Sequence, residues 1–220
     1  MTRLIMVLND PTTLTADNTA HLEHTRRLVR TARAAGARQD RATLRAAAEA
    51  WVEAERAAGA WWSGSWTLGI CEFEPAEAGL LLLSGQGLAL GAGLARRVLF
   101  VDGNPDGSDR VRPLGGVPTE ELSNYCLRNL AWQRLLAADW RPVPPLRRGR
   151  GLLRGYGQRG YTLAAQVLAA FAARDPLAVA AAIRAAAALE GSRRFSLLAY
   201  ALACQARALG IDPQLPAYAF

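Results

Sequence analysis

The sequence predicts an α+β protein that is mainly α: an N-terminal helical hairpin, a small central antiparallel sheet and a C-terminal helical bundle. Three observations predict it. Alanine and leucine dominate an apolar fraction of 51%, which leans the chain towards helix. Apolar stripes of helical length lie towards both ends, with Asp, Asn, Ser or Thr before them and Gly or Pro after them. Between them, residues 60–117 carry Trp61, Trp62, Trp66 and frequent glycine, with no amphipathic helical period. Residues 1–117 therefore form a region of hairpin plus sheet, and 118–220 a helical region containing a basic loop at 141–161.

In chain order, Leu4 to Leu8 reads as a short strand closed by Asn9-Asp10-Pro11. Asp17 or Asn18 caps a helix from about Thr19 to Ala35, stopped by Gly36. Its Leu22 and Leu28 are flanked by Arg26, Arg27, Arg30 and Arg33. A second helix spans about Asp40 to Ala58, with Leu44, Ala48, Trp51 and Ala54 on one side. Glu49, Glu53 and Glu55 fall late in that helix, where they can pair with the arginines of the first. In the middle region, strands are expected at Thr67–Phe73, Leu80–Leu83, Leu88–Leu90 and Arg97–Val101, with Asp102–Asp109 a polar turn. The tryptophans are expected to cover the core or an edge of this sheet; an aromatic binding platform is the alternative.

Helix returns at Thr119, an N-cap followed by Glu120 and Glu121. Leu122, Cys126, Leu130 and Leu135 make its inward stripe, which ends near Trp140. Three further helices follow the basic loop. One runs from Thr162 to Arg174; Asp175 caps the next, Leu177 to Glu190, which ends at Gly191. Ser192 or Arg193 opens the last, to Leu209 before Gly210. Their alanine-dense faces (Ala180 to Ala182, Ala185 to Ala188) permit close packing, but no repeat of about 34 or 40 residues is present.

Charge is distributed unevenly. All 26 basic residues are arginine, in keeping with a GC-rich, bacterial coding bias, and the net charge is +7. The stretch Arg141 to Tyr161 holds Arg141, Arg147, Arg148, Arg150, Arg154 and Arg159 with no acid, so +6 of that charge sits in one segment. Guanidinium binds phosphate through a planar fork and stacks on flat rings. With Tyr156 and Tyr161 among five glycines, the pattern predicts sequence-tolerant binding of nucleic acid, single-stranded or RNA, by phosphate contacts and base stacking. RGYGQRGY resembles RGG-type RNA-binding sequence in composition only. A solvated linker is the bland alternative, and an acidic protein or membrane surface a third. From a different class comes an interaction or scaffold protein that packs through its alanine-rich C-terminal helices on a partner or a second copy.

Other chemistries lack their residues. Cys71, Cys126 and Cys204 are single and far apart, without CxxC, which predicts reduced thiols in a cytoplasm. The opening MTRLIMVLNDP has too short an apolar run for a signal peptide. Ala78 to Ala95 is uncharged, but its glycines, Ser84 and Gln86 argue against a membrane span. His21 and His24 share a helix face without HExxH, CxxC or DxH company, so surface or capping histidines are expected rather than a metal site. Asp102 to Gly107 matches the first half of a calcium loop, but Pro113 occupies the position of the bidentate Glu. Gly85, Gly87, Gly91 and Gly93 miss the dinucleotide spacing, and a chain without lysine has no P-loop. No cofactor or metal is predicted. No GxSxG elbow accompanies a serine, and the reading leans away from an enzyme.

Overall fold

The computed structural model describes residues 16–58, 75–85, 99–103, 109–113, 122, 124–146, 156–191 and 195–215. Among them the chain forms seven helices: α1 (Ala16–Ala37), α2 (Arg41–Ala58), α3 (Pro75–Leu83), α4 (Asn124–Leu136), α5 (Tyr156–Ala173), α6 (Pro176–Glu190) and α7 (Leu197–Ala208). The expected central sheet is overturned: the fold is helical. Leu80–Leu83, expected as a strand, is the end of α3. The one extended pairing among the described residues is a ribbon, Leu99–Gly103 antiparallel to Asp109–Pro113. Among the described residues it gains no third strand, and two strands alone build no core. Leu4–Leu8, Thr67–Phe73, Leu88–Leu90, the three clustered tryptophans and the 117/118 boundary lie outside the described residues.

Helix α3 shows why the sheet expectation failed. Its sequence PAEAGLLLL is apolar nearly all round, and Pro75, Ala76, Ala78, Gly79, Leu80, Leu81 and Leu82 are all buried. A uniformly apolar run carries neither a helical nor a strand period, whereas a helix apolar on every side belongs inside a protein. That is where α3 lies. It packs on α7 and α2, and also touches α1, α4 and α6. Gly79 permits a close approach to α7: a Cβ there would stand 2.5 Å from the backbone of Leu197 and Leu198.

The helix ends follow local chemistry. Asp40 Oδ1 accepts from Thr43 N at 3.1 Å at the start of α2. Asp175 accepts from Leu177 N and Ala178 N, with Pro176 in the first turn of α6, and Gly191 closes that helix at φ 63°. Gly210 closes α7 at φ 73°. The cap of α7 is Ser196, accepting from Ala199 N at 3.2 Å, rather than Ser192 or Arg193. At the other end of α1, Gly36 does not stop the helix. It is buried within it, where a Cβ would meet the Phe195 ring at 2.2 Å; the left-handed position is Gln39, at φ 60°.

One buried cluster runs from Val29 and Trp51 through Leu80, Leu135 and Phe171 to Ile183 and Leu202. At its edge Glu190, with a side chain 1% exposed, ties three helices together. Its Oε1 accepts from Arg33 Nε at 3.1 Å and Nη2 at 2.9 Å. Its Oε2 accepts from Ser196 Oγ at 2.7 Å and Leu198 N at 3.1 Å. The acid that partners Arg33 thus comes from α6, not from α2 as the charge pattern of the hairpin suggested. Glu49 pairs instead with Arg45 of its own helix.

Candidate functional site

The basic stretch divides into parts with different structures. After α4, Ala138 takes φ 51°, with Ala138 N bonded to Leu135 O and Asp139 N to Arg134 O, which reverses the chain. The strap that follows, through Leu146, is docked on the helices. Trp140 stacks on Phe171 of α5 with ring centroids 4.2 Å apart. Val143 and Leu146 pack against the core. Arg134 donates to the carbonyls of Arg141 and Pro142. Burial lowers the Arg134 pKa, and the nearby Arg141 charge adds to this.

The predicted site residues fall in different surroundings. Arg141 is exposed but paired: its Nε lies 2.8 Å from Asp139 Oδ1 and its Nη2 2.6 Å from Oδ2. That hydrogen bond holds the Asp139 carboxyl below its ordinary range. Arg147, Arg148, Arg150 and Arg154 lie outside the described residues. Tyr156 opens α5, and Arg159 stands exposed on its outer face. Tyr161 is buried, and its hydroxyl donates to Pro144 O. Its ring therefore anchors the strap and offers no face to a base.

The expectation that 141–161 is loop-like throughout is corrected at its end. Residues 156–161 are helical, and Gly160 serves packing: a Cβ there would stand 3.2 Å from Trp132 Nε1 of α4. A glycine that suggests mobility in the sequence is here a close helix contact. Beside it, an open groove of about 490 Å³ runs between α5 and α6. Gln158, Arg159, Thr162 and Gln166 form its polar wall, facing Ala185, Ala188 and Leu189.

His21 is not a free surface histidine. Its Nε2 lies 3.1 Å from Oε1 of Glu55, whose side chain is only 10% exposed. Burial, with the charge of Glu77 on α3 added, pushes the Glu55 carboxyl up to about 8. Burial, and then His24, lowers the His21 pKa. Both directions favour the neutral form of each group. Among the described residues no group of three His, Cys, Asp or Glu side chains is placed to hold a metal ion.

Tyr200 and Cys204 lie one helical turn apart on α7, both half-buried. Burial raises the Tyr200 pKa, with Cys204 adding to the rise and the charges of Arg41 and Arg207 opposing it. Burial raises the Cys204 thiol against the pull of Tyr200, Arg207 and Arg41. The i, i+4 spacing of Tyr200 and Cys204 was legible in the sequence; the charge of Arg41 acting on them from α2 was not. No helix among the described residues is long and apolar enough to cross a membrane. No known protein family matches the chain, and neither a curated protein nor a solved structure matches it.

Proposed function

We propose that the chain binds nucleic acid without catalysing a reaction and with little sequence preference, single-stranded nucleic acid or RNA above duplex DNA. The observation that carries this is the concentration of +6 of the +7 net charge between Arg141 and Tyr161. Arginines in such number and without acids neutralise successive phosphates and release counterions, a source of affinity that does not depend on base identity. Arg147, Arg148, Arg150, Arg154 and Arg159 are the phosphate contacts, and Tyr156 is the stacking residue of this reading. Arg141 joins only by leaving Asp139, and Tyr161 supports the site by holding the strap. The docked strap ends at Leu146 and α5 begins at Tyr156, on either side of the four central arginines in the chain.

The test is fluorescence anisotropy of labelled single-stranded DNA, RNA and duplex at several salt concentrations. Wild type is compared with the variant in which Arg147, Arg148, Arg150 and Arg154 are all alanine. Its slope of log affinity against log salt is expected to fall by about 0.7–0.9 for each phosphate that is no longer neutralised. Equal slopes for the two proteins, or no binding by wild type, would remove the loop from this role.

A second reading is favoured by one observation of its own. Leu177 at the start of α6 is 77% exposed, on the helix that also forms the apolar wall of the α5–α6 groove. An interaction or scaffold role through the C-terminal helices accounts for such a face. It takes precedence if the anisotropy is flat and sedimentation shows association that rises with concentration.

A further inference from the structure

The outer side of α6 carries an apolar knob at one end and an open groove at the other. Leu177, in the first turn, is 77% exposed. Ala188, near the last turn, lines the α5–α6 groove of about 490 Å³. Eleven residues separate them, which places them about 20° apart around the helix and roughly 16 Å apart along it. Between them on the same side lie Ala181, half-buried, and Arg184, exposed. Within one chain the knob and the groove cannot meet, because α6 itself holds them apart. A second copy with its α6 running antiparallel brings them together.

We infer that this face is covered by a second copy of the chain, in a two-fold dimer with antiparallel α6 helices. An axis between Ala181 and Arg184 sets Leu177 of each protomer over Ala188 of its partner, at the groove edged by Leu163 and Leu189. One isologous contact then removes both leucines from water. The stem of Arg184 lies across Ala181 of the other copy, with its head in solvent. Charge fixes the orientation. The same register brings Asp175, two residues before Leu177, level with the end of the partner's α6. Arg159 stands there, in the groove wall beside Ala188 and Leu189. It is exposed, and no acid pairs with it among the described residues. Asp175 is exposed too, and its Oδ1 alone makes the capping bonds to Leu177 N and Ala178 N. Its Oδ2 is left for a guanidinium, and the two-fold forms this pair twice. With the helices parallel, neither the leucine nor the acid meets the groove. The dimer rests on the C-terminal helices as an interaction surface, and not on the basic loop.

The experiment is sedimentation velocity of the full chain over a wide concentration range, paired with disulfide trapping. Wild type is expected to sediment as a monomer–dimer equilibrium. Leu177→Asp should raise the dimer dissociation constant about a hundredfold or more, since two buried leucines are lost per dimer. An acid in the first turn suits the helix, so the far-ultraviolet circular dichroism should not change. Asp175→Asn keeps the cap and should weaken the dimer by roughly threefold or more. For trapping, the variant Leu177→Cys is mixed with the variant Ala188→Cys and oxidised mildly. Mass spectrometry should find a 177–188 disulfide in the mixture, and neither variant alone should link through its new cysteine. The two positions are too far apart along α6 for a bond within one chain. The loop variant with four alanines should dimerise as wild type does. Association that survives Leu177→Asp unchanged, or a mixture without the 177–188 disulfide, would overturn this interface while leaving association through another surface. A monomer at every concentration would overturn the interface and the scaffold role together.

Discussion

Glu55 meets His21 at 3.1 Å under the cover of three helices, and burial there favours its neutral form. Glu190 is buried as deeply but accepts four hydrogen bonds, two from one guanidinium. Glu55 is therefore expected to make stability depend on pH in the neutral range. The folded carboxyl keeps its proton up to about 8, while the unfolded chain releases it above its ordinary value of 4.5. The folded state holds more protons in that window, so stability should fall as pH rises from 4.5 to about 8 and level off beyond it. His21, with its pKa lowered from 6.5, works the other way: its contribution is lost as pH falls below that value. Glu55→Gln keeps a neutral partner for His21 and should flatten the alkaline decline, gaining about 2–4 kcal/mol above pH 8. Urea unfolding between pH 5 and pH 9 measures this; parallel profiles for variant and wild type would show that the carboxyl is already ionised.

At the scale of the element, α3 is defined by what surrounds it. Intrinsic propensity alone predicts that Gly79→Ala stabilises its helix, by roughly 1 kcal/mol. The backbone of Leu197 and Leu198 at 2.5 Å from the new Cβ predicts the reverse sign, because a backbone neighbour cannot rotate away. A loss of about 1–3 kcal/mol is expected, the cost of overpacking a filled interior. Thermal or urea unfolding of this one variant separates the two accounts, and a stabilised protein would mean that α3 and α7 do not approach this closely. Gly160 against Trp132 is a looser version of the same device, at 3.2 Å. Both glycines lie inside helices, where composition alone suggests breaks or mobility.

For the whole molecule, the bond from Arg33 to Glu190 fastens the N-terminal hairpin to the C-terminal helices. Its two ends are unequal. Arg33 is one-third exposed, at 34%, while Glu190 is 1% exposed and also holds Ser196 Oγ and Leu198 N. Glu190→Ala strands a guanidinium and two donors at the start of α7 and is expected to cost about 3–5 kcal/mol. Arg33→Ala should cost clearly less, because the arginine regains water and Glu190 keeps its other donors. A double-mutant cycle by urea unfolding checks the order; equal losses, or a larger one for Arg33, would contradict the hub.

Several features were legible in the sequence because they depend on residues close together in the chain. The helical hairpin at α1–α2, the Asp175 cap, the stops at Gly191 and Gly210 and the concentration of arginine in 141–161 all follow from local chemistry. What only the tertiary structure decided depends on which surfaces meet. Leu80–Leu83 is helix because it is enclosed on all sides, which a periodless apolar run cannot announce. Gly36 and Gly79 pack rather than terminate or loosen, because Phe195 and α7 press on them. Tyr161 anchors Pro144 instead of facing a ligand, and Arg33 of α1 meets Glu190 of α6 from far along the chain. Caps and turns are set by bonds spanning a few residues, and the sequence holds both partners side by side. Burial and long-range convergence are set by the packing of helices distant in sequence, and a residue's neighbours in the chain carry no record of that.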